Sequence, residues 1–86
     1  MLIAYKPVFI RQYRGLPEEL REEVRQKIEA FKIQGNHAAL RVHKLHGRLK
    51  NRWSFSVNYN YRIVFVWEKP NESAVLLAVG THAIYR

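Results

Sequence analysis

The 86-residue sequence predicts an α+β domain with the element order β-α-α-β-β-β. Two observations carry that expectation. Apolar residues in the first third recur at the spacing of helices that each bury one face. From Arg52 onward the period switches to two, which marks strands with one face buried. A chain of this length forms one domain, residues 1–86, and 48% hydrophobic content supplies a core for it. The expected architecture is an antiparallel-rich sheet with the two N-terminal helices packed on one face.

Taken in order, Leu2 to Tyr5 forms a short first strand. Lys6-Pro7 ends it, because the residue before proline is pushed toward extended geometry. Pro7 suits the first turn of a short helix, with Phe9, Ile10 and Tyr13 on one face and Gly15 at its end. Pro17 opens a longer helix, in which Leu20, Val24, Ile28 and Phe31 make the apolar stripe. Glu18, Glu19, Glu22 and Glu23 crowd its start, where the positive end of the helix dipole stabilises carboxylates. Glu23 and Lys27 stand at i,i+4, and Gly35-Asn36 stops the helix. These acids therefore have structural work rather than chemistry to do.

Asn36 to Arg48 is a basic connector without periodicity. Then Trp53, Phe55, Val57 and Tyr59 alternate with Arg52, Ser54, Ser56 and Asn58. This pattern places Trp53, Phe55 and Val57 against the helix stripe and Ser54 and Ser56 on the opposite, open face. Asn58-Tyr59-Asn60 turns the chain, since asparagine tolerates left-handed geometry. Tyr61 to Glu68 is a β-branched and aromatic strand, and Pro70 to Ser73 is the next turn. Ala74 to Val79, apolar on both faces, is a central strand.

Charge narrows the function. Fifteen Lys and Arg against seven acids give +8 and a pI near 10.2. No acid lies between Gln34 and Trp67, a span that holds Arg41, Lys44, Arg48, Lys50, Arg52 and Arg62. Such a domain is drawn to polyanions, either nucleic acid or an acidic protein partner. No cysteine is present, so disulfides and thiolate metal sites are excluded and a reducing cytoplasm is the expected location. The longest apolar runs are too short to span a bilayer, and the first residues lack a signal-peptide pattern. No membrane is therefore expected as a partner.

Several residues could carry chemistry. Arg62 stands in a strand otherwise built of apolar residues, where a guanidinium is costly unless it meets an anion. Its planar fork matches phosphate and can neutralise charge on phosphoryl oxygens. His82 follows Gly80 at a strand end, and histidine as a residue type is suited to giving or taking a proton near neutral pH. Tyr85 lies three residues on. Lys44, His46 and Arg48 alternate and would project to one side. His46 is then a second acid/base candidate, while Lys44, Arg48, Lys50 and Arg52 grip a nucleic-acid backbone. His37 and His43 read as surface residues. No metal or other cofactor is expected, because the histidines lack a carboxylate partner at ligand spacing.

The run Lys44-Leu45-His46-Gly47-Arg48, then Arg52 to Val57, Tyr61-Arg62-Ile63-Val64-Phe65 and Gly80-Thr81-His82-Ala83-Ile84-Tyr85 resembles the RelE/ParE superfamily of bacterial toxins, especially its RelE-like branch. The Gly-Thr-His sequence looks like the YafQ-type subgroup. The resemblance implies an endoribonuclease of a type II toxin-antitoxin system. It would cleave messenger RNA in the ribosomal A site without a metal, leaving a 2′,3′-cyclic phosphate or a 3′-phosphate, and a cognate antitoxin would neutralise it. It gives Arg62 the scissile phosphate, His82 an active-site role, and Tyr85 the stacking or orienting of a base. Some members carry catalytic lysines where this chain has Ser54 and Ser56, so the resemblance leaves the general base unassigned. The alternative is a ParE-like toxin that inhibits DNA gyrase, which shares the fold but generally lacks the arginine–histidine–tyrosine set. A degenerate remnant that only binds antitoxin is a third possibility.

Overall fold

The computed structural model describes residues 1–47 and 51–85. The chain runs through β1 (Leu2–Tyr5), α1 (Pro7–Arg14), α2 (Glu18–Phe31) and a 3-10 turn (Gln34–Asn36). It continues through β2 (His43–Lys44), β3 (Trp53–Ser56), β4 (Arg62–Lys69) and β5 (Ser73–Gly80) to a closing 3-10 turn (His82–Tyr85). The strands form one sheet in the order β1-β5-β4-β3-β2. β1 runs parallel to β5, and the other neighbours are antiparallel.

The α+β plan expected from the sequence is present, with one strand added. His43 and Lys44 form a short edge strand on β3, paired with Ser54 and Trp53, where the sequence shows only a basic connector. Two residues are too few to display an alternation. The segment becomes a strand because the N–H and C=O groups along the free edge of β3 offer it partners.

α2 lays Val24, Ile28 and Phe31 into the core with Leu20 beside them. Phe31 is its centre, with ring centroids 4.4 Å from Phe55 and 4.8 Å from Phe65. The helix ends at Phe31, short of Gly35-Asn36. Its last carbonyls need partners, and two later side chains reach back to supply them. Asn36 Nδ2 donates to the Ala30 carbonyl at 3.0 Å, and His37 Nε2 donates to that of Phe31 at 2.8 Å. Stacked on Phe31 at 4.9 Å, His37 is a structural residue.

In α1, Phe9 is buried and Tyr13 stacks on it at 6.3 Å, but Ile10 is exposed rather than on the inner face. α1 also closes an open stretch of β5. β1 stops at Tyr5, opposite Leu76, and beyond that point Gln12 Oε1 accepts the Val79 N–H at 2.9 Å. Tyr13 hydroxyl accepts from Arg25, which also pairs with Glu22, so the two helices are tied at their outer rim. Glu23 forms no ion pair with Lys27 among the described residues. It accepts a hydrogen bond from Asn58 Nδ2 at 2.7 Å, which pins α2 to the β3–β4 turn.

The strand alternation needs two corrections. Phe55 and Val57 are buried and Trp53 is half-buried on the helix side, as the period of two requires. Ser54 does lie on the other face, but it is 0% exposed, and Leu45 and Val64 near it are buried as well. Part of the second face is therefore closed, and the open part lies toward Ser56. Tyr59, which continues the apolar alternation in sequence, is 92% exposed. β3 ends at Ser56, so the alternation no longer governs where Tyr59 points. The turn is held by Asn58 Oδ1, which accepts the N–H groups of Asn60 (2.9 Å) and Tyr61 (2.8 Å). None of its residues adopts a left-handed conformation.

Candidate nucleic-acid cleavage site

Three strand ends meet at one level of the sheet. Arg62 opens β4 and is the register partner of both Ser56 on β3 and Gly80 on β5. Its Nη1 donates to Ser56 Oγ at 2.6 Å. A guanidinium carries five N–H donors, and this bond engages one end of it, fixing the plane of the rest. The serine therefore orients the arginine, a role the sequence does not signal.

Gly80 sets the position of His82. A Cβ built on Gly80 would stand 2.5 Å from Ile84 Cγ2, so any larger residue would have to shift Ile84 or the turn that carries it away from the end of β5. Thr81 secures the turn: its carbonyl accepts the Ile84 N–H at 3.0 Å and its Oγ1 the Ala83 N–H at 3.4 Å. His82, the first residue of that turn, is thus held two residues beyond the cross-strand partner of Arg62.

Two clefts open on either side of this pair. One, of about 360 Å³, is lined by Arg41, Val42, His43, Arg62 and His82. The other, of about 390 Å³, is lined by Tyr59, Asn60, Arg62, Thr81 and His82. Arg62 and His82 are common to both, so they form the ridge between the clefts. Neither lining contains a carboxylate. The site is consequently suited to an anion that lies across the ridge with neighbouring groups on each side.

His43 belongs to this site, although its sequence context suggests only a surface residue. On the added strand β2 it pairs with Ser54 and so stands on the face that carries Ser56 and Arg62. Its Nδ1 lies 2.7 Å from the Arg41 carbonyl. A carbonyl can only accept, so Nδ1 carries the hydrogen, and the neutral ring then has its lone pair on Nε2. Arg41 sits at φ 58°, a left-handed conformation uncommon outside glycine. Its N–H bonds Ala38 at 3.1 Å, and the next N–H, that of Val42, bonds His37 at 3.0 Å. That turn holds the carbonyl in place for His43.

The structure distributes the other sequence candidates differently. Lys44 is exposed and pairs with Trp53, one step farther from the Arg62 end of β3. His46 lies beyond it, exposed, and lines neither cleft at Arg62. Arg52 is exposed ahead of β3 and lines a separate hollow with Val64 and Ile84. Lys44, His46 and Arg52 thus gather at one end of the β2–β3 ladder, and Arg62 and His82 at the other. Arg48 and Lys50 lie outside the described residues, as does the side chain of Tyr85. Among the described residues no group of histidines and carboxylates is arranged to hold a metal ion, and no helix is long and apolar enough to cross a membrane. Tyr59, Arg41 and Thr81 are the further cleft residues that sequence reasoning passes over. The segment leading into β2 brings Arg41 to Arg62, the β3–β4 turn brings Tyr59, and the end of β5 brings Thr81.

Residues 9–82 match the family of RelE-like toxins of the type II toxin-antitoxin system HigB. The chain belongs to that family. No curated protein matches it in sequence. Among solved structures it resembles the Mycobacterium tuberculosis RelBE2 toxin-antitoxin complex, with 18% identity over 94% of this chain and 96% of the other and a TM-score of 0.70. It also resembles the intact Escherichia coli RelBE toxin-antitoxin complex, with 17% identity over 93% and 94% and a TM-score of 0.70. For the Staphylococcus aureus YoeB-YefM complex the values are 16% identity, 95% and 98% coverage and a TM-score of 0.72. At these identities the likeness is one of fold, and it confirms the α+β architecture with helices on one side of the sheet.

Proposed function

We propose that this chain is the toxin of a type II toxin-antitoxin pair that cleaves messenger RNA on the ribosome and so blocks translation. The observation that carries the proposal is the ridge formed by Arg62, oriented by Ser56, and His82, with the Nε2-basic face of His43 in the adjoining cleft. A phosphodiester seated there meets a clamp, a proton acceptor and a proton donor.

In this reaction His43 Nε2 takes the proton of a ribose 2′-hydroxyl as O2′ bonds to the adjacent phosphorus. Arg62 neutralises charge developing on the non-bridging oxygens. The P–O5′ bond breaks, and protonated His82 gives its proton to O5′. The products are a 2′,3′-cyclic phosphate and a 5′-hydroxyl. His43 is left protonated and His82 neutral, and exchange with solvent resets both. His46, placed away from the ridge, joins Lys44 and Arg52 as part of a backbone-gripping surface. Tyr85, whose family counterpart stacks on or orients an RNA base, takes that role in the chain segment following His82.

The two RelBE structures that this chain resembles are toxin-antitoxin complexes, and the +8 charge of this chain suits a cognate antitoxin with an acidic segment that covers the basic clefts. Primer extension on messenger RNA, with and without ribosomes, tests the proposal. New 5′ ends within codons are expected for the wild type, and far weaker ones for Arg62→Ala. DNA gyrase supercoiling inhibited by the protein, with messenger RNA intact, would replace this reading with the gyrase one.

A further inference from the structure

We infer that Tyr59 is a stacking platform for the base of the nucleotide immediately 3′ of the cleaved bond, a specificity contact for the reaction proposed above and dependent on that proposal. Tyr59 exposes 92% of its surface, yet it does not hang on a loose loop. The turn that carries it is closed by Asn58 Oδ1 on two backbone N–H groups and by the Val57 N–H on the Tyr61 carbonyl at 2.9 Å. Asn58 Nδ2 in turn anchors the turn to Glu23 of α2. A solvent-exposed aromatic ring carried on an anchored turn at the rim of a cationic cleft has the chemistry of a base-stacking surface. Every nucleobase offers it a π-face.

The direction follows from the proton transfers. The ridge residues Arg62 and His82 line both clefts, while His43 lines one and Tyr59 the other. The ribose whose 2′-hydroxyl attacks must face its proton acceptor, so the nucleotide 5′ of the bond occupies the His43 cleft. The nucleotide that departs with O5′ then lies past His82, in the cleft rimmed by Tyr59, Asn60 and Thr81. Its base is the one within reach of the tyrosine ring.

The test uses a messenger fragment, free and on programmed ribosomes, with all bases present or with one abasic nucleotide placed 3′ or 5′ of the cut. On the complete fragment Tyr59→Ala should raise the half-saturating enzyme concentration roughly five-fold or more while the maximal single-turnover rate stays within about two-fold. Tyr59→Trp, which keeps a stacking ring, should restore saturation. Removing the 3′ base should cost the wild type the same factor and cost Tyr59→Ala nothing further. Saturation of Tyr59→Ala at the wild-type concentration overturns the inference. So does a loss that persists undiminished on the 3′-abasic fragment, or one cancelled by the 5′-abasic fragment instead. Weakened antitoxin binding with unchanged RNA saturation would assign the ring to the protein partner and likewise overturn it. A wild type that cleaves neither fragment, free or on ribosomes, fails the nuclease reading itself and this inference with it. Cleavage by the wild type with an indifferent Tyr59→Ala fails this inference alone.

Discussion

Ile84 rests on Gly80 with no room for a side chain between them: a Cβ at position 80 would approach Ile84 Cγ2 to 2.5 Å. One end of that contact belongs to the sheet and the other to the turn that carries His82. Gly80→Ala should therefore displace the turn, held by two hydrogen bonds to Thr81, rather than β5, which is paired with both β1 and β4. Stability should fall by only about 1 kcal/mol, at the low end for overpacking, while cleavage falls roughly ten-fold or more because His82 leaves its register with Arg62. The double variant with Ile84→Ala should recover part of the rate. Urea melts alongside single-turnover cleavage would measure both.

Arg62→Ala should leave the fold intact and lower the cleavage rate by about 10²–10³, the usual cost of removing one donor to a developing oxyanion. Arg62→Lys should not restore it, because an ammonium cannot present the guanidinium fork. Ser56→Ala should lose less, since it frees the guanidinium without removing it, and Arg62→Ala should mask it in the double variant. Non-additive rates in that cycle are the diagnostic result.

His43→Gln and His82→Gln should each slow single-turnover cleavage, because a neutral amide can hydrogen-bond but cannot take or give a proton. Each should reduce cleavage far more than RNA binding.

Lys44→Ala combined with Arg52→Ala should weaken RNA binding and flatten its salt dependence, by about 0.7 in log–log slope for each single-strand phosphate that is no longer neutralised. The chemical step at saturating enzyme should change little, because neither residue lines the clefts at Arg62. Binding measured across a salt series, with cleavage at saturation, separates the two effects.

Phe31→Ala should be the most damaging of these changes to the fold. Phe31 is fully buried and touches Phe55, Phe65, His37 and Trp67 with its ring. A cavity of that kind costs about 3–5 kcal/mol, comparable to the whole stability of a small domain. A largely unfolded protein by circular dichroism is the expected outcome.

The amino-acid sequence alone determined the elements that have a period. The stripe of Leu20, Val24, Ile28 and Phe31 and the alternation of Trp53, Phe55 and Val57 are local patterns that any core must respect. The family resemblance in the same chain marked Arg62 and His82. Tertiary structure decided the rest. His43 reaches the site only because a two-residue strand pairs with the edge of β3, and two residues carry no period to read. Tyr59 leaves the core side because β3 stops at Ser56, and a strand's end depends on its partners rather than on its own composition. Ser54 is buried because the second face of the sheet is partly closed, which no alternation can foretell. His82 lines the same clefts as Arg62 because its turn packs Ile84 onto Gly80, directly across the ladder from the arginine. Periodicity says which way a side chain points along its own element, whereas register between strands distant in sequence decides which side chains share a cleft.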